Sequence, residues 1–139
     1  MTDSKPSILF LCVHNAGRSQ MAAAWARELG GERVDVLSGG SEPAEDVNPA
    51  AVAAMAEIGI DISAAQPHRW TDTDLEVADV VITMGCGDTC PVYPGKRYLD
   101  WELTDPAGKG VEEVRPVRDE IERRVRNLLD ELDVGAPTD

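Results

Sequence analysis

Residues 8–19 read Ile8-Leu9-Phe10-Leu11-Cys12-Val13-His14-Asn15-Ala16-Gly17-Arg18-Ser19, an apolar run followed by a short polar turn. From Gln20 onward the spacing of Met21, Trp25 and Leu29 predicts a helix. A buried strand, a tight turn and a helix start in this order are typical of a parallel α/β sheet. Ligands bind at the carboxyl ends of the strands in such sheets, so we expect the functional site at this turn.

The turn has the features of an oxyanion-binding loop. Its backbone N–H groups are expected to point inward, and the positive end of the helix dipole faces the same spot. Arg18 adds a planar fork of donors suited to bidentate contact with an oxyanion. The predicted oxyanion-binding residues are Val13, His14, Asn15, Ala16, Gly17, Arg18 and Ser19.

Cys12 is the predicted nucleophile of this loop, because the field that attracts an oxyanion also stabilises a thiolate. The alternative is a buried, inert thiol at the end of a strand, with Arg18 on the surface of a helix; free cysteine is among the most buried residue types. The spacing to Arg18, the freedom of the Gly17 backbone and the hydroxyl group of Ser19 together favour the catalytic interpretation.

The rest of the chain alternates strands with helices. Asn48 and Pro49 predict the start of a helix that ends before Gly59, and Thr71 with Asp74 predicts a capping box. The predicted strands are 7–11, 33–38, 80–84 and 96–101; the predicted helices are 20–29, 49–58, 72–78 and 114–132, the last with Pro116 in its first turn. This pattern predicts an α/β fold: one domain over residues 1–139, with flexible ends at 1–6 and 135–139, built on an open four-stranded parallel sheet with helices on both faces.

Composition narrows the possible partners. The net charge of −13 argues against nucleic acid and against an anionic membrane surface. No apolar run approaches the length of a membrane span and no leader precedes the first strand, so we expect a cytoplasmic protein. The three cysteines are an odd number, which in a reducing compartment indicates catalysis or metal binding rather than a disulfide framework.

Cys86 and Cys90 follow the third predicted strand, on the same sheet edge as Cys12. They can form a disulfide if the segment bends, which Gly85 and Gly87 permit. A zinc site and two inert thiols are the alternatives. Zinc usually takes four Cys or His ligands, and the chain offers three cysteines and two histidines, one of them inside the anion loop, so we predict a redox pair and no metal site.

Asp105-Pro106 follows the fourth predicted strand. Pro106 biases Asp105 toward an extended conformation and stiffens the loop, which would hold a carboxyl group near the anion site as a general acid. An ordinary turn is the alternative.

Cys12 to Ser19 resembles the phosphate loop of the low-molecular-weight protein tyrosine phosphatases and of the arsenate reductases built on the same fold. In both families a catalytic Asp-Pro stands at the place of Asp105. The phosphatases usually carry an aromatic-rich segment near this loop and no resolving pair. Cys12, Cys86 and Cys90, together with segments 105–109 and 117–121, are similar to the thioredoxin-coupled arsenate reductases over nearly the whole chain.

The resemblance implies a disulfide cascade. Cys12 attacks arsenate with Arg18 holding the charge, Asp105 protonates the leaving oxygen, Cys86 displaces arsenite from Cys12, and Cys90 then frees Cys12. It implies no tightly bound cofactor, an external thiol reductant such as thioredoxin, phosphate or sulfate as competing anions, and we expect a monomer.

Two features qualify the resemblance. The spacer between Cys86 and Cys90 is short, and Ala23 stands where some relatives have an acidic residue that helps to bind potassium. We expect Asn15 and Ser19 to order the loop, with Ser19 oriented toward the sulfur, and His14 to have no chemical role.

Three other functions are compatible with these residues. A phosphatase would hydrolyse a Cys12 adduct with water, and a non-catalytic oxyanion sensor would signal through the Cys86–Cys90 pair. A reductase that uses a small thiol, mycothiol or glutathione, would not need Cys86 and Cys90.

Overall fold

The computed structural model describes residues 6–12, 14–40, 42–84, 97–101, 103 and 110–132. The elements are β1 (Ser7–Cys12), α1 (Arg18–Gly30), a 3-10 turn (Gly31–Arg33), β2 (Asp35–Gly40), α2 (Pro49–Ala56), α3 (Asp72–Val77), β3 (Val80–Thr83), β4 (Arg97–Asp100) and α4 (Val111–Leu132). The predictions for Val13, Cys86, Cys90 and Asp105 fall outside the described residues.

Within the described residues the four strands form a parallel sheet in the order β2-β1-β3-β4. The register pairs Cys12 with Gly40 and Leu11 with Thr83, so the carboxyl ends of three strands meet at one edge. β1 is one of the two inner strands, which brings Cys12 to the middle of that edge.

Side chains of β1 alternate between two apolar clusters, which shows that the sheet is covered on both faces. Ile8, Phe10 and Cys12 pack in the larger cluster with residues of α1, α2 and α4. Leu9 and Leu11 pack in the smaller one with Leu75 of α3. The predicted fold class, a parallel α/β sheet with helices on both faces, is confirmed.

Two helix starts form through the local signals that the sequence carries. The Asn48 side chain accepts from the N–H groups of Ala50 at 2.8 Å and Ala51 at 3.3 Å at the start of α2. At α3, Thr71 and Asp74 form the reciprocal capping box. Each cap supplies acceptors to N–H groups that lack partners inside the helix, typically worth about 1 kcal/mol.

The start of α4 was predicted wrongly. The helix begins at Val111, so Pro116 lies in the second turn and not in the first. Pro116 removes the hydrogen bond that the Glu112 carbonyl would accept, but both residues are exposed and water can hydrate that carbonyl. Val114 is fully buried in the large cluster, and this packing outweighs the lost bond.

The sequence predicts Val52, Met55 and Ala56 as the buried face of α2, and the structure differs from this prediction. Ala51, Ala54 and Met55 are buried, whereas Ala56 is exposed and Val52 is half-buried. Because α2 consists mostly of alanines, its sequence gives little contrast between faces, and packing against α4 decides which face is buried.

Gly39 and Gly40 belong to β2 instead of ending it, and the strand starts at Asp35 instead of Arg33. A side chain at Gly39 would lie 2.8 Å from the backbone nitrogen of Trp70, so glycine allows a second backbone to approach closely. The segment around His68 uses this space, and Gly40 N–H donates to the His68 carbonyl at 2.9 Å. The contact places residues 66–69 beside the loop that follows Cys12.

Among the helices that the structure describes, none combines the length and the apolar composition that crossing a bilayer requires.

Candidate active site

The Cys12 sulfur lies at the centre of the site. Cys12 is the last residue of β1 and only 3% exposed. Two donors approach its Sγ atom: the Asn15 N–H at 3.2 Å and the Ser19 hydroxyl group at 3.0 Å. Both contacts direct hydrogen-bond donors at the sulfur, and the nearby start of α1 adds the positive end of a helix dipole.

The hydrogen-bond network fixes the direction of the Ser19 proton. The backbone N–H of His68 can only donate, and it donates to Asn15 Oδ1 at 3.0 Å. The Asn15 amide is therefore oriented with Nδ2 toward Ser19, and Nδ2 donates to Ser19 Oγ at 2.7 Å. Because that oxygen accepts from Asn15, its own O–H is left to donate to Cys12 Sγ.

Asn15 holds a strained conformation that serves this network. Its φ is 51°, in the left-handed region that costs a residue other than glycine about 1–2 kcal/mol. Asparagine tolerates this region better than most residues. The residue is fully buried and hydrogen-bonded through its backbone and its side chain, which offsets the cost.

The carbonyl groups of the loop are held outside it. His14 O accepts from Ala44 N–H at 3.0 Å, and Ala16 O accepts from Asn48 N–H at 2.8 Å. In a trans peptide the C=O and the following N–H point in opposite directions. The N–H groups of Asn15 and Gly17 therefore point inward, as an anion cradle requires.

Arg18 lies in the first turn of α1 and is 8% exposed. Its Nη1 donates to the Leu103 carbonyl at 3.3 Å, which ties the guanidinium group to the segment after β4. In the sequence Leu103 precedes Asp105 by two positions. The guanidinium group is thus held at the carboxyl edge of the sheet, where a planar donor fork can meet an oxyanion.

The structure brings Asn15 and Ser19 onto the Cys12 sulfur atom, with Ala16 and Gly17 completing the turn and Arg18 at the first position of α1. His14 is exposed, and its Nδ1 lies 3.1 Å from the Glu42 carbonyl. The catalytic and binding roles of these residues stay predictions, as do those of Val13, Cys86, Cys90 and Asp105, which lie outside the described residues.

Sequence reasoning missed two contributors to the site. Gln20 is buried and donates to Asn15. The sequence shows it only as a polar residue, with no sign that its position is buried. His68 contributes through its backbone N–H, for which side-chain identity gives no signal.

In the described part of the chain, no three His, Cys, Asp or Glu side chains come close enough to hold a metal ion.

The sequence matches the low molecular weight phosphotyrosine protein phosphatase family over residues 7–136. The chain belongs to this family.

Within the family the chain is similar to proteins named as arsenate reductases. It is 42% identical over 137 residues to the arsenate reductase of Halalkalibacterium halodurans, covering 91% of this chain and 97% of that protein. It is 44% identical to a thioredoxin-dependent arsenate reductase of Corynebacterium glutamicum, whose solved structure superposes with a TM-score of 0.83. The match covers 96% of this chain and 64% of the Corynebacterium glutamicum protein, so this chain spans about two thirds of that protein's length.

The same fold also carries phosphatases. The arginine phosphatase YwlE of Geobacillus stearothermophilus has a TM-score of 0.82 and 27% identity, with 92% of this chain and 93% of that chain covered. The resemblance to arsenate reductases on the low-molecular-weight phosphatase fold is thus confirmed.

Proposed function

We propose that this protein is an arsenate reductase that works through a covalent adduct on Cys12. The observation that carries the proposal is the convergence of the Asn15 N–H and the Ser19 hydroxyl group on one buried sulfur atom, inside a loop whose carbonyls are held outward. The similarity to arsenate reductases over most of the chain indicates which oxyanion the loop takes.

The first step forms a bond between sulfur and arsenic. The Cys12 thiolate attacks arsenic(V), and one arsenic–oxygen bond breaks, its oxygen leaving as water after a general acid protonates it. We assign the acid to Asp105. The Arg18 guanidinium group, tied to the Leu103 carbonyl two positions before Asp105, and the inward N–H groups stabilise the charge on the remaining oxygens.

The second step reduces arsenic. We assign Cys86 as the thiolate that attacks the Cys12 sulfur; the sulfur–arsenic bond breaks with its electron pair going to arsenic, which leaves as arsenite. Support comes from the end of β3, where Met84 N–H donates to the Leu11 carbonyl at 2.8 Å, one residue from Cys12. In the sequence Met84 precedes Cys86 by two positions.

The last step regenerates the nucleophile. We assign Cys90 to attack Cys86, which frees the Cys12 thiolate and leaves a Cys86–Cys90 disulfide. In total one arsenate and two thiols become one arsenite, one disulfide and water. An external dithiol reductant of the thioredoxin class then reduces the disulfide, as the name of the similar Corynebacterium glutamicum protein suggests.

The test is arsenite production with thioredoxin, thioredoxin reductase and NADPH. The unsubstituted protein should turn over many times, whereas Cys86→Ser and Cys90→Ser should stop after at most one turnover. Full activity in either variant would overturn the cascade. Thermal melting and protection of Cys12 from iodoacetamide by phosphate serve as controls, because both should be unchanged in the two variants if the loop is intact.

Phosphatase activity is the second candidate, and family membership favours it. A phosphatase would hydrolyse an aryl phosphate through a Cys12 phosphoryl adduct and would keep multiple turnover in Cys86→Ser. A reductase coupled to mycothiol or glutathione would likewise keep arsenite production in that variant when the small thiol is supplied.

A further inference from the structure

We propose that Gln20 is a positioning residue of the oxyanion loop: its side-chain amide holds the Asn15 carbonyl outward and thereby aims the Ala16 N–H at the bound anion. Insofar as that anion is arsenate, the inference rests on the proposed function. Gln20 is the third residue of α1 and is 4% exposed, so its amide is withdrawn from water.

Gln20 uses its nitrogen to bind the loop. Its Nε2 lies 3.1 Å from Asn15 O and 3.2 Å from Asn15 Oδ1, and 3.5 Å from Gln66 O. All three partners are oxygen acceptors here, because Asn15 Oδ1 also accepts from the His68 N–H. The NH2 end of the Gln20 amide therefore faces the loop.

The neighbouring peptides show why this bond matters. The carbonyls of His14 and Ala16 are held by backbone N–H groups, those of Ala44 and Asn48, which no side-chain substitution removes. The carbonyl of Asn15, between them, is held by the Gln20 side chain. Since C=O and the following N–H are opposed in a trans peptide, the Gln20 bond sets the direction of the Ala16 N–H.

The same bond supports the strained backbone of Asn15. A residue at φ 51° keeps that conformation only where its surroundings over-determine it. Gln20 contacts both the backbone and the side-chain oxygen of Asn15, whereas His68 contacts the side-chain oxygen.

A helix-capping role would use Gln20 differently. In a capping box the Glu or Gln at the third helical position accepts, through its side-chain oxygen, from the backbone N–H of the N-cap residue. Here the N-cap is Gly17, and Gln20 instead presents its nitrogen to oxygens of Asn15, two residues earlier. The contact serves the loop and not the helix end.

The experiment uses the full chain with Cys86→Ser and Cys90→Ser, so that Cys12 is its single thiol. Phosphate is the probe, and its binding is measured as protection of Cys12 from iodoacetamide. Gln20→Met keeps the length of the side chain and removes its donors. We expect the phosphate concentration for half protection to rise about tenfold, because one inward N–H is no longer fixed.

Met21→Ala is the matched control, because Met21 is a fully buried neighbour whose side chain lies in the apolar core. It should lower the melting temperature at least as much as Gln20→Met while leaving half protection within twofold. The inference is overturned if Gln20→Met leaves the phosphate concentration for half protection unchanged, or if Met21→Ala raises that concentration as much as Gln20→Met does. If Gln20→Met does not fold, Gln20→Asn replaces it, since the shorter side chain withdraws the same amide.

In the protein with all three cysteines, Gln20→Met should raise the KM for arsenate more than it lowers kcat. Protection by phosphate does not depend on reduction. The role of Gln20 and the reductase activity are therefore tested independently of each other. A shifted phosphate affinity without arsenite production would refute the reductase and keep the role of Gln20, and the reverse result would refute only Gln20.

Discussion

Two arginines of this protein are equally buried but have different surroundings. Arg18 and Arg118 are each 8% exposed. Arg18 lies in the anion loop, where the donors converge on the Cys12 sulfur. Arg118 lies on α4 and forms a clamp to α2, in which Nη1 donates to the Ala54 carbonyl at 2.9 Å and to Glu57 at 2.9 Å.

The clamp satisfies its charges internally. Arg118 Nε donates to Asp119 at 2.8 Å, and Arg115 Nη2 donates to Glu57 at 2.6 Å. The hydrogen bond from Arg115, together with that from Arg118, lowers the pKa of Glu57 to about 2. Burial of an arginine therefore does not by itself indicate a ligand site. The two arginines differ in the direction of the hydrogen-bond donors around them: near Arg18 the donors point at the Cys12 sulfur, whereas in the clamp they point at the Ala54 carbonyl and at Glu57.

The strongest test of this difference is to remove the guanidinium group of Arg18. Arg18→Met should lower kcat/KM for arsenate about 1000-fold, because a charged donor to the transition-state oxygens is lost. Its melting temperature should stay within a few degrees. Steady-state arsenite production and calorimetry check both parts, and near-normal activity would show that Arg18 does not hold the anion.

The same substitution in the clamp should have the opposite effect. Arg118→Met should leave kcat/KM within about threefold at 25 °C and lower the free energy of unfolding by about 2–3 kcal/mol, because Glu57 and the Ala54 carbonyl lose their partner. Urea unfolding measures the loss. A large drop in activity with intact stability would contradict a purely structural role.

Ser19→Ala probes the loop more gently. Hydrogen bonds to charged groups contribute about 1.5–3 kcal/mol, so removing the hydroxyl group that donates to Cys12 should slow single-turnover arsenite formation about 10- to 100-fold. Rapid-quench arsenite formation is the measurement. Ser63→Ala is the control, since Ser63 Oγ donates to Asp61 on the exposed surface and should leave the rate unchanged.

The smallest effect is a pH dependence of the clamp. The folded protein holds the pKa of Glu57 at about 2, against 4.5 for an unperturbed carboxyl, so the ionised form stabilises the fold above pH 4.5. That contribution is lost as pH falls from about 4.5 toward 2. The melting temperature of Glu57→Gln should therefore lie below that of the unsubstituted protein at pH 7, and the gap should close in acid; a gap independent of pH would contradict the assignment.

The parts of the fold that local chemistry decides were predictable from sequence. Asn48, Thr71 and Asp74 carry cap signals that act within three residues, and the structure forms both caps. The parallel sheet followed from alternating elements, whereas the strand order β2-β1-β3-β4 was not predicted. The start of α4 was not predictable in this way, because long-range packing of Val114 outweighs the local effect of Pro116.

For the candidate site, spacing predicted the residues on one continuous segment. Cys12, Asn15 and Ser19 meet because a strand, a turn and a helix start bring them together, and Arg18 is the first residue of that helix. The contacts that residues outside that segment make to the loop were not predictable. Asn15 is oriented by a backbone group of His68, and the approach of that segment depends on a missing Cβ at Gly39.

Arsenite formed per protein chain, in the absence of any added reductant, measures the central chemistry most directly. We predict one arsenite per chain with loss of two of the three thiols, and none from Cys12→Ser. Arsenite from Cys12→Ser, or formation by the unsubstituted protein without loss of thiols, would contradict reduction through a Cys12 adduct.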